Sequence, residues 1–279
     1  MVSVSQLLQL SSQLESISDS PQLDCELLLC HTLKVDRTWL RTWPDKQVPA
    51  DQQGMFKVLL DKRCQGQPIA YLIGSRGFWS MDLTVSSDTL IPRPETELLV
   101  EIALSLNLPS PSSVLDLGTG TGAIALALAS ERAEMQLIAV DAQLGAVELA
   151  KNNCQQQQLT NVVIFQSDWF EGLETRGDKF NLIVSNPPYI AHDDPHLSLG
   201  DVRFEPASAL VSGIDGLDDI KKIVSQSPVH LKANGWLLLE HGYNQGQAVR
   251  DLMISAGFSE VDTQQDYNCL DRVTMGRWK

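Results

Sequence analysis

The tetrapeptide Asn186-Pro187-Pro188-Tyr189 carries the residue types in this chain that are best suited to chemistry. It follows the apolar run Phe180 to Ser185, which predicts a buried strand closed by two prolines. Because proline lacks a backbone N–H, the carbonyls at this strand end are free to face outward. The Asn186 side chain adds an oxygen acceptor, and Tyr189 adds an aromatic face with a polar tip. Together these groups could bind a planar group bearing an NH2.

The nitrogen of an amide or aniline is a poor nucleophile, because its lone pair is delocalised into the neighbouring π system. If two acceptors bind its two hydrogens, the lone pair is localised toward the open side, where an electrophile could react. The other interpretation is a strand that ends in a Pro-Pro turn, with Asn186 capping that turn. The tetrapeptide alone leaves both interpretations open.

Three further features follow predicted strands. A glycine-rich run comes after the strand that contains Asp116, and its members are Gly118, Thr119, Gly120, Thr121 and Gly122. Glycines let a backbone approach a ligand closely and expose amide donors at a helix start. Asp141, about twenty residues further on, suits the hydroxyls of a ribose. Asp168-Trp169 could supply an acceptor for an adenine amino group and an aromatic wall beside the ring. An adenosine-containing cofactor is therefore predicted.

The glycines do not by themselves identify that cofactor. Gly118, Gly120 and Ala123 also satisfy the spacing of the dinucleotide-binding fingerprint, so NAD is a rival. A hydride-transfer enzyme needs a group that exchanges a proton with the substrate oxygen, and Asn186-Pro187-Pro188-Tyr189 does not provide one. The tetrapeptide is suited instead to presenting an NH2 to a methyl sulfonium, which favours S-adenosylmethionine.

The elements that must position these residues form two patterns. Residues 1–72 show helical periodicity without strand-like runs, which predicts a small all-α N-terminal domain that recognises a partner. Residues 73–90 have the glycines and alternation of a β-hairpin, interpreted as a connector. From 91 to 279, strands and helices alternate. Repeated βα units predict an α/β, Rossmann-like domain, an open and mostly parallel sheet with helices on both faces and ligands at the carboxyl ends of its strands.

Composition narrows the class of protein further. The chain has 279 residues, a net charge of −14 and five scattered cysteines without a C-x-x-C pair. Lys and Arg form no basic stripe, which disfavours a nucleic-acid partner and favours a protein or small molecule. No stretch approaches the length of a membrane span. The first nineteen residues contain Glu15 and Asp19 but neither Lys nor Arg. These features predict a cytoplasmic protein with reduced thiols, without a secretory or transit segment.

With these motifs the chain resembles a known family, the protein-(glutamine-N5) methyltransferases that modify peptide chain release factors. These belong to the class I S-adenosylmethionine-dependent methyltransferases, whose sheet has seven strands. The resemblance covers nearly the whole length. It is carried by the glycine-rich run, by Asn186-Pro187-Pro188-Tyr189 and by four further segments: 23–28, 67–71, 204–206 with Ala209-Leu210, and the loop Ile91-Pro92-Arg93-Pro94-Glu95-Thr96. The combination of the tetrapeptide with the Pro-Arg-Pro-Glu-Thr loop makes the match specific.

The resemblance implies a role for each matching residue. Gly118 to Gly122 and Asp141 would hold the methionine and ribose parts of S-adenosylmethionine, and Trp169 would contact the adenine. Asn186 and the Pro187 carbonyl would bind the substrate amide, with Tyr189 packing on it. The substrate would be the glutamine of a Gly-Gly-Gln loop in a release factor. The alternative enzyme is an amino-methyltransferase acting on adenine or cytosine of nucleic acid, which would share the pocket chemistry.

Several other residues have both a functional and a structural interpretation. Arg93 could be aimed by its rigid loop at a carboxylate or backbone near the substrate, or it could be a solvated loop arginine. Glu205 could order the loop after the tetrapeptide, or cap a helix start. His192 and His196 stand four apart, but Pro195 between them prevents a helix that would place both on one face, so no metal site is predicted. A monomer is expected.

Overall fold

A computed structural model describes residues 2–174 and 177–279. The chain divides into two compact units. One comprises Met1–Ser75 with His196–Phe204, and the other comprises Arg76–Pro195 with Glu205–Lys279. Residues 196–204 therefore belong to the first unit, although the chain before and after them belongs to the second unit. The sequence did not predict this arrangement.

The N-terminal unit is built mainly from helices. They are α1 (Val4–Leu8), α2 (Pro21–Leu33), α3 (Arg37–Thr42), α4 (Ala50–Cys64) and α5 (Ile69–Ile73), with a 3-10 segment at Gln9–Leu14. Local capping fixes two of the starts: Ser3 and Gln6 form a capping box at α1, and the Asp36 carboxylate accepts from Trp39 N at 2.7 Å at α3. The core between the helices contains Leu14, Leu28, Leu29, Phe56 and Leu60.

The same unit contains a short ribbon that the periodicity did not predict. Strands β1 (Val2–Ser3) and β2 (Gln47–Val48) pair antiparallel, with Val2 opposite Val48. Strands of two residues are too short to show the alternation that identifies a strand in a sequence.

A buried arginine holds the 196–204 segment within this unit. Arg63 is 6% exposed, and its Nε donates to Asp24 Oδ2 at 2.8 Å while its Nη1 donates to Asp201 Oδ1 at 2.8 Å. Gly66 has a φ of +92°, and the Arg203 guanidinium occupies the space that a Cβ at this position would need. The segment is thus fixed by one ion-pair network and by one close approach to a glycine.

The second unit is organised around a seven-stranded sheet. Its strands are β5 (Ser113–Leu117), β6 (Gln136–Asp141), β7 (Val162–Gln166), β8 (Phe180–Ser185), β9 (Leu231–Glu240), β10 (Ser259–Gln265) and β11 (Asp271–Arg277). The order across the sheet is β10-β11-β9-β8-β5-β6-β7. The five strands from β7 to β9 are parallel, and β11 pairs antiparallel with both β9 and β10. The predicted mostly parallel sheet is confirmed.

Helices cover both faces of this sheet, as predicted. They are α6 (Glu97–Ser105), α7 (Ala123–Glu131), α8 (Leu144–Gln156), α9 (Asp218–His230) and α10 (Gly246–Ser255). Alternate strand residues enter two separate cores, since Val114 and Val184 pack with α6, α7 and α8, whereas Leu115 and Ile183 pack with α9 and α10. A strand that is buried on both faces must be apolar throughout, which explains the continuous apolar runs in the sequence.

The predicted hairpin is present as β3 (Ser75–Phe78) and β4 (Met81–Thr84). From Arg76 onward its residues form part of the second unit. Thr84 N donates to Asn153 Oδ1 at 2.9 Å, and Asn153 Nδ2 donates back to Thr84 O at 3.0 Å, which anchors the hairpin to α8. Most of the hairpin therefore belongs to the second unit.

The order in which the chain connects the parallel strands indicates where a ligand would bind. From β5 the chain proceeds to β6 on one side, and β8 lies on the other side of β5, so the strand order reverses between β5 and β8. Ligands bind open α/β sheets at such a switch point, outside the carboxyl ends of the strands. The glycine-rich run and Asn186 follow these two strands directly.

Candidate active site

A cavity lies at this edge of the sheet, and all of its lining residues belong to the second unit. Predicted residues that line it are Arg93, Gly118, Thr119, Gly120, Thr121, Asp141, Trp169, Asn186 and Pro188. The structure thus brings together the glycine-rich run, the acid after β6, the tryptophan after β7 and the asparagine after β8. Gly122, Asp168, Pro187 and Tyr189 are not among the lining residues.

The glycine-rich run takes backbone conformations that favour glycine. Gly118, Gly120 and Gly122 have φ values of +69°, +55° and +87°. Thr119 N donates to Val140 O at 2.9 Å, which ties the run to β6, and α7 begins immediately afterwards. A Cβ at Gly118 would lie 3.4 Å from Trp169 Cζ3. The backbone and the indole therefore enclose one end of the cavity closely.

A buried acid that the sequence analysis passed over orders this run. Asp116 is fully buried in β5, and its Oδ2 accepts from Thr119 Oγ1 at 2.6 Å and from Ala125 N at 3.3 Å. Burial raises the pKa of Asp116 to about 7, although these two hydrogen bonds oppose the shift. An acid within an otherwise apolar strand was the signal that could have identified it.

Asp141 stands where the sequence predicted a ribose contact. Its Oδ2 accepts from Gly120 N and its Oδ1 from Gln143 N, both at 2.9 Å. Burial raises the pKa of Asp141 above its ordinary value, while these backbone hydrogen bonds act in the opposite direction. Each carboxylate oxygen keeps a second lone pair, so the group can still accept from a diol. The position of Asp141 at the cavity is consistent with its predicted role.

The two residues of the Asp168-Trp169 pair have different environments. Trp169 has a φ of +48° and lines the cavity beside Gly118. The Asp168 carboxylate instead pairs with Lys222 Nζ at 2.9 Å on an exposed surface. The structure therefore does not bring Asp168 to the cavity, and the neighbouring Ser167 lines it instead.

The strand end at Asn186 is fixed from both sides. Ser185 Oγ donates to Leu117 O at 2.7 Å, and Asn186 Nδ2 donates to Thr96 Oγ1 at 3.2 Å. Asn186 also lines the cavity, and within residues 2–174 and 177–279 no hydrogen bond engages its Oδ1, so this oxygen can accept from a ligand. Tyr189 packs behind the strand end, and Gln245 Nε2 donates to its carbonyl at 3.0 Å. Burial raises the pKa of the Tyr189 hydroxyl, which keeps it protonated.

Arg93 is directed at a carboxylate of the same unit. Its Nη2 lies 2.8 Å from both Glu205 Oε1 and Glu205 Oε2, and the Glu205 side chain is fully buried. Arg93 is neither a solvated loop arginine nor left without a partner. Glu205 joins the loop after Asn186-Pro187-Pro188-Tyr189 to the Pro92-Arg93-Pro94 segment, so it orders the loop rather than capping a helix.

Some lining residues were not predicted as site residues. Asp88, Thr89 and Leu90 lie in the segment that was interpreted as a connector, and Ser208 and Ala209 lie in a short 3-10 turn. They reach the cavity through the fold of distant segments. His192 and Asp193 are exposed and pair with each other at 2.8 Å. Across residues 2–174 and 177–279, no cluster of His, Cys, Asp and Glu is arranged to hold a metal ion.

Substituting Gly118→Ala should weaken S-adenosylmethionine binding about tenfold. A φ of +69° strains an L residue by roughly 1–2 kcal/mol, and the new Cβ would press on Trp169. The loop would relax away from this conformation and would have to return to it when the cofactor binds. Isothermal titration calorimetry measures the change. Gly177→Ala is the matched control, because Gly177 has a φ of +67° and none of the described residues lies within 4 Å of its Cβ position. An equal loss of affinity in both variants would contradict this explanation.

The contribution of Asp116 to the stability of the ligand-free protein should decrease as the pH rises from about 4 to 7. Because burial raises the pKa of Asp116 to about 7, the folded state retains a proton that the unfolded state releases in this window. This proton therefore contributes less to the free energy of unfolding as the pH increases. Thermal unfolding at several pH values should show a shallower decline for Asp116→Asn than for the wild type and the exposed-site variant Asp82→Asn. An unchanged slope in Asp116→Asn would exclude this proton as the cause.

The fold and the cavity together define a Rossmann-like methyltransferase of class I. Comparison with known families agrees, because residues 6–74 match the family described as PrmC N-terminal domain and residues 94–213 match the methyltransferase small domain. The release factor glutamine methyltransferase of Pseudomonas aeruginosa is 53% identical over 261 residues, which are 94% of each chain. That of Escherichia coli K12 is 50% identical over 267 residues, which are 96% of this chain and 95% of the other.

The chain therefore belongs to the release factor glutamine methyltransferase family, and it is an S-adenosylmethionine-dependent methyltransferase. A solved methyltransferase from Pyrococcus furiosus shares the fold, with a TM-score of 0.55 at 17% identity over 82% of this chain and 98% of that one. No helix in the described ranges is long and apolar enough to cross a membrane.

The described residues fit S-adenosylmethionine. Gly118 leaves the space that a Cβ would fill, and its backbone faces the Trp169 ring. The Asp141 carboxylate lies at the same cavity as the glycine-rich run, where a ribose diol would need an acceptor. When bound there, the cofactor supplies a methyl group made electrophilic by a sulfonium.

Proposed function

We propose that this enzyme transfers the methyl group of S-adenosylmethionine to the N5 side-chain nitrogen of the glutamine in the Gly-Gly-Gln loop of peptide chain release factors. The observation that carries the proposal is the Asn186 side chain, whose NH2 is bound by Thr96 while its oxygen remains an acceptor at the cavity of the glycine-rich run. A planar amide needs an acceptor of this kind for its own NH2. The names of relatives that are half identical over nearly the full length support the same substrate.

In this mechanism Asn186 Oδ1 accepts one hydrogen of the substrate NH2, and the Pro187 carbonyl accepts the other. Pro188, which lines the cavity, contributes to the binding surface for the amide plane. The two acceptors draw the nitrogen lone pair away from the amide π system and hold it toward the methyl donor. No side chain removes a proton before attack, because the nitrogen becomes acidic only once it has been methylated. Arg93, held by Glu205 at the cavity, contacts the backbone of the substrate loop.

The N-terminal unit is proposed to recognise the release factor, with the catalytic unit acting on the loop. We propose that the enzyme meets this substrate in the cytoplasm and acts as a monomer, without direct nucleic-acid contact. The alternative substrate, an adenine or cytosine of nucleic acid, is not favoured. With a net charge of −14, the chain lacks the basic character that a phosphate backbone attracts.

The test is transfer of radiolabelled methyl from S-adenosylmethionine to a purified bacterial release factor. Parallel reactions contain a release factor in which the glutamine of the Gly-Gly-Gln loop is replaced by alanine, and DNA and RNA of mixed sequence. Label should appear on the unmodified release factor only. Label on nucleic acid, or equal label on both forms of the release factor, would refute the proposal.

A further inference from the structure

The tryptophan at the cavity has a backbone conformation that an aromatic residue rarely adopts. Trp169 has a φ of +48°, in the left-handed region, and lies in the turn that follows β7. A bulky L residue is strained there, so the surrounding structure must hold it. Its indole lies beside Gly118, where a Cβ would be 3.4 Å from Trp169 Cζ3. The strained backbone therefore sets the position of the aromatic wall at the cavity.

The Ser167 hydroxyl spans the turn that contains Trp169. Ser167 is 6% exposed and lines the same cavity. Its Oγ donates to Trp169 O at 2.8 Å and accepts from Gly172 N at 2.8 Å. A hydroxyl can donate and accept at once, so this single group ties two points of the turn together. Gly172 leaves room for the hydroxyl, since a Cβ at that position would lie 3.0 Å from Ser167 Oγ.

The backbone of Ser167 connects this turn to the other predicted cofactor residue. Ser167 N donates to Asp141 O at 2.9 Å. Asp141 is the last residue of β6, and its partner in the parallel ladder is Gln166, the last residue of β7. Ser167 is therefore bonded both to the predicted ribose acceptor and to the predicted adenine wall.

The residues on either side of Trp169 are anchored to α9. The Phe170 ring stacks on His230, with ring centroids 4.5 Å apart, and the Asp168 carboxylate pairs with Lys222 Nζ at 2.9 Å. The second of these contacts is solvent-exposed, since 51% of the Asp168 side chain is accessible, so it should stabilise the turn little. Neither contact engages the Trp169 backbone directly, as the serine hydroxyl does.

We propose that Ser167 is a positioning residue for S-adenosylmethionine, whose hydroxyl holds Trp169 in the strained conformation that presents the indole to the adenine. This role concerns the cofactor, so it goes beyond the proposed transfer to a release factor. A ring that is held in advance loses less conformational freedom when the ligand binds. Without the hydroxyl, the Trp169 backbone would relax and would have to return to the strained conformation for binding.

Ser167→Ala should raise the Kd for S-adenosylmethionine about 10-fold, or about 1.4 kcal/mol, which is of the size expected for the strain of one left-handed L residue. Isothermal titration calorimetry gives the Kd. Ser227→Ala is the matched control, because Ser227 is fully buried in α9 and its Oγ donates to Ile223 O at 2.7 Å. The control should lower the Tm and leave the Kd near its wild-type value. An unchanged Kd in Ser167→Ala, or an equal increase in Ser227→Ala, would overturn the proposal.

A double-mutant cycle distinguishes positioning from direct contact with the cofactor. Trp169→Ala removes the indole and should weaken binding at least as much as Ser167→Ala does. If the hydroxyl acts through the indole, the double variant Ser167→Ala/Trp169→Ala should bind S-adenosylmethionine about as weakly as Trp169→Ala alone. Losses of affinity that multiply in the double variant would show that Ser167 acts on the cofactor without Trp169, which would contradict the positioning role.

Fluorine NMR observes the ring in the ligand-free enzyme. The six tryptophans are replaced by fluorinated tryptophan, and the Trp169 resonance is assigned from its loss in Trp169→Ala. This resonance should shift and broaden in Ser167→Ala, because the turn samples other conformations, and should match the wild type in Ser227→Ala. An unchanged resonance in Ser167→Ala would refute the role. The Kd and the NMR measurement need no release factor, so they remain decisive even if the proposed function fails.

Discussion

Replacing Asn186 by alanine should lower kcat for release factor methylation about 10²- to 10³-fold, the loss found when a preorganised polar contact to the reacting group is removed. The substitution removes the acceptor for the substrate NH2 and the donor to Thr96 Oγ1. Cofactor affinity should change little, because the groups predicted to hold S-adenosylmethionine lie on the glycine-rich run, at Asp141 and at Trp169. Single-turnover kinetics give the methylation rate, and calorimetry gives the Kd.

Asn181→Ala is the matched control for this experiment. Asn181 lies at the opposite end of the same strand, where its Oδ1 accepts from Ser113 N and Lys232 Nζ, both at 3.0 Å. Its loss should lower the Tm and leave kcat of the folded enzyme near that of the wild type. If Asn186→Ala instead weakened cofactor binding as strongly as it slowed methylation, Asn186 would hold the cofactor and would not act on the substrate amide.

Replacing Arg63 by methionine should destabilise the N-terminal unit by about 3–5 kcal/mol. The substitution leaves Asp24, which is 6% exposed, as a buried carboxylate without its cationic partner. It also removes the contact that fixes Asp201 and two hydrogen bonds to the carbonyls of Gly66 and Gln67. Urea unfolding followed by hydrogen exchange of α2 and α4 reports on this unit specifically.

Two further variants test whether the unpaired carboxylate of Asp24 causes this loss of stability. Asp201→Asn should cost no more than about 1 kcal/mol, because the Asp201 side chain is 40% exposed and Arg63 keeps Asp24. The double variant Arg63→Met/Asp24→Leu should recover much of the stability, since no unpaired charge remains buried. If it were as unstable as Arg63→Met alone, the loss would come from packing and not from the uncompensated carboxylate.

Residues whose chemistry is local were predictable from the sequence. The glycines from Gly118 to Gly122 predict the backbone conformations of their own loop, and the apolar run before Asn186 predicts a buried strand. Apolar runs alternating with amphipathic helices determine the sheet and its two covered faces. The strand ends then meet at one edge because parallel strands share a direction. That is why Gly118, Asp141, Trp169 and Asn186 could be assigned to one cavity.

Features that depend on distant partners were not predictable in this way. Asp168 was expected to face the adenine, but Lys222, fifty-four positions later, pairs with it. The Arg93–Glu205 pair spans 112 positions, and the Arg63–Asp201 pair spans 138. No local pattern in a single sequence encodes these partnerships.

The most direct test of the central claim is mass spectrometry of a release factor after incubation with the enzyme and S-adenosylmethionine. Fragmentation of the peptide that contains the Gly-Gly-Gln loop locates the added methyl group. We expect one methyl group on the side-chain nitrogen of that glutamine, and far less product when Asn186→Ala replaces the wild-type enzyme at the same concentration and time. Methylation of any other residue, or equal methylation by the Asn186→Ala variant, would contradict the role assigned to the cavity and to Asn186.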